Sequence, residues 1–207
     1  MTDIIKHNNE TGRSMVEMLG VLAIVGVLSI GGIAGYSKAM AKYKINKTLD
    51  QVSMLIASVR TTYGNQNSYQ SLSNANAVSY GIVGGDLSGG NTSSLTNAYG
   101  GPVWVAGATS TAQISAGTAP TTFAPYFQIT FQNLDNTACA QLVSSDWGSA
   151  AGGLVGMYIS QTSSASAGTW VTWGNDASQS LPLSYEGGRT KCGSGTNGKS
   201  AITWVLN

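Results

Sequence analysis

From Met18 to Tyr36 the chain carries no charged residue. Wound as a helix, those nineteen positions span about 28 Å, close to the roughly 30 Å hydrocarbon core of a bilayer. The following stretch, "KAMAKYKINKTLDQVSMLIASVRTTYG", contains no Pro, and no Gly before Gly64. Apolar residues recur in it at Ile45, Leu49, Val52, Ile56, Val59 and Tyr63, in steps of four and three that fall on one helical face. The pattern predicts one helix of about 50 residues, roughly 75 Å long, that begins in a membrane and ends as a core element of a folded domain. A secretory signal peptide is the alternative, but its apolar core would be shorter and a small-residue cleavage site should follow.

Beyond Gly64 the periodicity changes. "YFQITFQNL" alternates, with Phe127, Ile129 and Phe131 on one side and Gln128, Thr130 and Gln132 on the other. Residues 78–83, 103–107, 154–160, 169–173 and 201–206 read as further strands. Residues 136–147 read as a short helix capped by Asp135 or Asn136. The expected fold is α+β: a long N-terminal helix laid on an antiparallel sheet through its 45–63 stripe, with a short helix and a C-terminal region. Segments such as "LSGGNTSSLTN" and "GSGTNG" read as surface loops.

Composition narrows the function. Only 9% of the 207 residues are charged, the formal charge is +1, and polarity comes from Ser, Thr, Asn, Gln and 27 glycines. No Lys or Arg lies between Arg60 and Arg189, so the bulk of the chain offers no cation cluster for nucleic acid. The single histidine, His7, precedes the apolar run, and the later acids Asp86, Asp135, Asp146, Asp176 and Glu186 are scattered. "GTNGKS" echoes a phosphate loop without its spacing. Zinc spacings, dinucleotide fingerprints and a nucleophile elbow are absent, so no catalysis and no cofactor are expected. Asp146-Trp147-Gly148 reads as a turn. Cys139 and Cys192 are either two buried thiols or, in an exported chain, one disulfide.

The charges around the apolar run conflict with export. Lys6 and Arg13 precede it, and Lys38, Lys42, Lys44 and Lys47 follow it. Counting cations alone would keep the C-terminal part in the cytoplasm. The cysteines, the uncharged polar surface and the sparse charge favour export.

Three features of the run itself point to self-association. Gly20, Gly26, Gly31, Gly32 and Gly35 interrupt it. Gly31 and Gly35 form a GxxxG pair that lets helices approach closely, although glycine is also common in membrane helices generally. Glu17 is a carboxylate at the edge of an apolar segment. It is either a flanking charge beside Arg13 one turn back, or a group whose partner appears only after processing. A cut after Gly12 would create that partner as the α-amine of Arg13. In a bundle of copies, Glu17 of one could hold the amine of the next, satisfied only in the correct axial register.

"TGRSMVEMLGVLAIVGVL" resembles the class-III signal of type IV pilins and pseudopilins: a short polar leader ending in Gly, Glu at the fifth mature position, then an apolar helix. "YFQITFQNLDNTACAQLVSSDWG" and "KSAITWVLN" look like the type IVb branch, in particular the major subunits of the PilS-like thin-pilus group. The resemblance implies a leader over residues 1–12 and a long helix over 13–63, with a transmembrane and filament-core half over 14–37 and an amphipathic half over 38–63. A globular head then covers 64–207. It implies processing at Gly12 and Arg13 by a prepilin peptidase with N-methylation, and assembly through Glu17, Gly31 and Gly35. It also implies a Cys139–Cys192 disulfide that closes the C-terminal region of the pilin fold. The partners it implies are other copies of the chain, the peptidase, and an inner-membrane platform with its ATPase. The subunit would wait in the bacterial inner membrane and then enter an extracellular filament. Departures are Arg13 where most members have an apolar first residue, a leader holding Asp3 and Glu10 against Lys6, and no kink-forming proline. A minor pilin, tip adhesin or secretion pseudopilin shares this design, as would an unrelated membrane-anchored exported domain more distantly.

Overall fold

Helix α1 runs from Arg13 to Tyr63. The computed structural model describes residues 13–112, 114, 116–148, 153–165, 168–173, 180–193 and 198–207; the proposed leader, with Gly12, lies outside them. The described residues divide into two units, one ending at Tyr43 and one beginning at Lys44. The glycines cause no break within α1. The helix stops where Gly64 follows, a position at which a Cβ would stand 2.8 Å from the Arg60 carbonyl oxygen.

In the second unit, the part of α1 from Lys44 contributes Val52, Leu55, Val59 and Tyr63 to the core. The buried face is shifted from the apolar stripe. Thr48, Gln51 and Leu55 are buried, whereas Leu49 and Ile56 are only half-buried. Two polar groups are admitted because they find partners: Thr48 Oγ1 donates to the Lys44 carbonyl at 2.9 Å, and Gln51 Nε2 donates to Asp86 Oδ2 at 2.7 Å.

The core faces a seven-stranded sheet. Its strands are β1 (Leu95–Thr96), β2 (Pro102–Ala108), β3 (Tyr126–Asp135), β4 (Leu154–Ser160), β5 (Thr169–Trp173), β6 (Ser180–Leu181) and β7 (Lys199–Leu206). The spatial order is β1-β2-β3-β7-β4-β5-β6. All neighbours are antiparallel except β5 and β6, which pair in parallel at one edge. The sheet is therefore mixed at that edge rather than wholly antiparallel. β7 lies at its centre, between β3 and β4.

Register explains the core. Ile129 opposes Val105 on one side and Trp204 on the other, and Trp204 opposes Met157, which opposes Val171. These five share one face and are fully buried. Trp204 packs edge-on against Phe131 and Trp147, with centroids 6.0 and 5.1 Å away. The alternate face is covered as well: Gln128, Thr130 and Thr203 are also buried. Thr130 and Thr203 pair through their hydroxyls at 2.8 Å. In the same row, the Tyr158 hydroxyl donates to the carbonyl of Thr111, which holds the segment after β2 to that face.

Among the described residues, four short helices complete the unit: α2 (Asn74–Ser79), α3 (Gly85–Ser88), α4 (Asn136–Val143) and α5 (Tyr185–Cys192). Residues 78–83, expected as a strand, instead close α2 and turn. Ser73 Oγ caps α2 by accepting from Asn76 N at 3.2 Å. Ile82 N and Val83 N both donate to the Ala77 carbonyl. The preceding residues protect the β2 edge: Asn74 Oδ1 accepts from Val105 N at 2.7 Å, Asn74 Nδ2 donates to the Val103 carbonyl at 3.0 Å, and Gly107 N donates to the Leu72 carbonyl at 3.0 Å. α4 is shorter than expected, ending at Val143. Asp135 is its N-cap, without a side-chain cap bond. The turn at 146–148 forms as expected, with Gly148 N donating to Asp146 Oδ1 at 2.9 Å. Cys139 in α4 and Cys192 at the end of α5 form a buried disulfide with a Cα separation of 5.9 Å. Ser184 Oγ starts α5 by accepting from Gly187 N at 3.1 Å, with Glu186 in its first turn and Arg189 and Lys191 in its last. The phosphate-loop echo falls partly outside the described residues. Its Lys199 and Ser200 open β7 rather than a helix.

Candidate assembly interface

In the first unit, every large apolar side chain of α1 named from Met15 to Tyr36 is 52% to 73% exposed. An amphipathic helix of a water-soluble domain would hide one side. This one presents apolar residues all around its circumference, the pattern of a helix whose surroundings are themselves apolar. The span is long and apolar enough to cross a membrane. The polar groups inside it agree with that setting. Ser29 Oγ donates to the Val25 carbonyl at 2.7 Å, and Ser37 Oγ to the Ile33 carbonyl at 3.0 Å. Each hydroxyl is satisfied by its own helix, four residues back.

Glu17 stands in the second turn of α1, four positions after Arg13, which is about 6 Å of helix rise. It shares a shallow depression of about 260 Å³ with Met18, Val21 and Leu22. The carboxylate is thus set beside side chains that favour a helix neighbour. Gly31 and Gly35 lie one turn apart on one face, and a Cβ at either would meet nothing within 4 Å. Their bare backbone leaves a notch that another helix could enter. The structure brings these residues onto one exposed helix, with Glu17 and Gly31 separated by about 21 Å of helix rise. Gly12 lies outside the described residues.

The sequence pattern did not single out the link between α1 and α3. Asp86, in the first turn of α3, accepts from Gln51 and lies 3.9 Å from Lys47 Nζ. Nor did it single out Lys44, whose ammonium stands over the Tyr99 ring, 5.5 Å from its centroid. Burial, and secondarily the Asp135 carboxylate, push the Tyr99 phenol up to about 12. Lys199 pairs with Asp135 at 2.6 Å. These contacts join elements far apart in sequence, which periodicity cannot reveal.

Residues 37–207 match the model of the Bundlin family. Two curated relatives carry the description "Major structural subunit of bundle-forming pilus", one from Escherichia coli O111:H- and one from Escherichia coli O127:H6. Each is 23% identical over 179 residues, covering 86% of this chain and 84% of the relative. Among solved structures, a type IV b pilin from Salmonella typhi is similar with a TM-score of 0.48 at 17% identity, covering 77% of this chain and 95% of that one. TcpA, a type IV pilin from Vibrio cholerae El Tor, has a TM-score of 0.46 at 14% identity, covering 80% and 99%. The family match takes in the amphipathic part of α1, the whole sheet and both bridged cysteines, so the chain belongs to the Bundlin family.

Proposed function

We propose that this chain is a structural subunit of a type IVb pilus, assembled with copies of itself into an extracellular filament. The observation that carries this reading is the Bundlin match over 37–207 together with an apolar helix exposed on every side before it. Such a helix must be covered by lipid or by other copies; in a filament, copies cover it.

Assembly in this reading starts in the inner membrane, where a prepilin peptidase removes residues 1–12 by cutting after Gly12. The new α-amine of Arg13, which is then methylated, becomes a cation at the level of the apolar run. Glu17 of a neighbouring copy takes that amine. Two charges inside an apolar bundle are tolerated only when paired, so the contact favours one axial register over its neighbours. The Gly31–Gly35 notch allows close helix approach in the same bundle. An assembly platform and its ATPase lift each subunit out of the bilayer. The disulfide-closed head, poor in charge, forms the filament surface.

Mass spectrometry of appendages sheared from cells tests this. The expected result is an abundant chain that begins at methylated Arg13 and contains the Cys139–Cys192 bridge. Trace abundance would favour a tip or minor subunit, and a different first residue would remove the amine assigned to Glu17.

A further inference from the structure

The cations that follow the span divide into two pairs. Lys44 and Lys47 belong to the head unit and are engaged there, Lys44 over the Tyr99 ring and Lys47 beside Asp86. Lys38 and Lys42 belong to the other unit and are exposed. They are one helical turn apart, so their ammonium groups emerge on the same side. Tyr36 and Tyr43, 67% and 57% exposed, flank them. No Asp or Glu occurs from Met18 to Leu49, so nothing of opposite sign lies within seven positions of either lysine along this helix.

Depth decides what these lysines meet. With Tyr36 at the end of the apolar run, the Cα of Lys38 lies about 3 Å further along the axis and that of Lys42 about 9 Å. The polar layer of one leaflet is roughly 5–8 Å deep, and lysine side chains reach several ångströms along a membrane normal. Both ammonium groups therefore fall in the phosphate layer, between two tyrosines of the kind that mark membrane–water boundaries. We infer that Lys38 and Lys42 form a binding site for anionic phospholipid headgroups, which holds the unassembled subunit at a fixed depth in the membrane. This rests on the reading of α1 as a membrane span. It also accounts for cations on the exported side: they recognise lipid there rather than set the orientation.

The test uses the full chain with its leader, reconstituted into phosphatidylcholine bilayers with trace spin-labelled phosphatidylglycerol or phosphatidylcholine. The electron spin resonance fraction of motionally restricted label gives the relative association constant of the two lipids. The wild-type chain should prefer phosphatidylglycerol by several fold, and about 0.5 M salt should erase the preference. The double change Lys38→Gln/Lys42→Gln should bring the ratio of the two association constants close to one. Lys38→Arg/Lys42→Arg should keep the preference, and so should Lys44→Gln/Lys47→Gln. Extraction with alkaline carbonate is run on the same vesicles. Release of the wild-type chain would overturn the span and this inference together. A chain that stays embedded with no preference, or with one indifferent to Lys38 and Lys42, would overturn the headgroup site alone. Lysine-dependent self-association in pure phosphatidylcholine would assign the pair to a second copy and overturn it as well.

Discussion

Gln51, on the buried face of the long helix, donates its side-chain amide to Asp86 at 2.7 Å, across 35 positions of sequence. Gln51 is 4% exposed. Its Oε1 has no hydrogen-bond partner among the described residues, so the Asp86 bond is what makes its burial tolerable. Lys47, 3.9 Å from the same oxygen, is partly exposed and adds little. Asp86→Ala should therefore strand a buried amide and destabilise the head by about 1–3 kcal/mol. Asp86→Asn retains an acceptor and should cost less. Urea unfolding of the full chain in detergent, followed by tryptophan fluorescence, measures both; equal losses would show that charge, not the hydrogen bond, dominates.

The Cys139–Cys192 bridge spans 53 positions and closes α4 onto α5. Chain-entropy arguments give a loop of that length about 4 kcal/mol. Replacing both cysteines with alanine should lower the urea midpoint accordingly, with wild type plus reductant shifting in the same direction. An unchanged midpoint in the double variant would mean that packing alone holds α5.

Tyr99 should make head stability sensitive to alkali. Its phenol ionises at about 12 in the folded chain and near its ordinary 10 in the unfolded one. The stabilisation is fully present below pH 10 and is lost as pH rises from 10 towards 12, because only the unfolded state releases the proton there. Tyr63, Tyr69 and Tyr158 are also raised, chiefly by burial, so the wild-type slope is a sum. Tyr99→Phe should flatten it in part. It should be neutral or slightly stabilising at pH 7, since the Tyr99 hydroxyl is buried without a partner among the described residues. An identical slope in the variant would contradict the assignment.

Glu17→Ala should leave removal of the leader intact and stop the subunit from entering filaments. Immunoblots for the shortened chain and electron microscopy of the cell surface read the two steps separately. Normal piliation would sink the proposed pairing with the Arg13 amine. Replacing Gly12 with a bulky residue should produce the opposite defect, an uncut chain.

Much of the architecture was legible because period is a strong signal. The length of α1 follows from its unbroken run of helix-compatible residues. The β3, β4 and β5 segments follow from alternation or short apolar runs between Gly and Ser loops. Residues 78–83 misled because Val78, Ile82 and Val83 suit a buried strand as well as a buried turn. The deciding feature, Ser73 capping Asn76, lies upstream of them. α5 was missed because "YEGGRTKC" holds two glycines and almost no apolar residue; a capping serine and the bridge hold it instead. The centre of the buried face of α1 moved to Thr48 and Gln51 because hydrogen bonding, which hydrophobic period ignores, made them suitable for burial. For the assembly site, residue types and spacing on α1 were readable, while the contacts of Lys44, Lys47 and Asp86 depend on tertiary neighbours.

β7, the last of the described strands, occupies the middle of the sheet. A head threaded across a membrane from its N-terminal side could pair β1 with β2 and β3, and separately β4 with β5, yet these halves would share no hydrogen-bonded seam until residues 199–206 emerged. Shortening the chain before Lys199 would leave two facing open edges, each a template for aggregation. On the proposed route, residues 199–206 must be across before the head can close its sheet, so a half-translocated subunit would present no completed surface to a growing fibre.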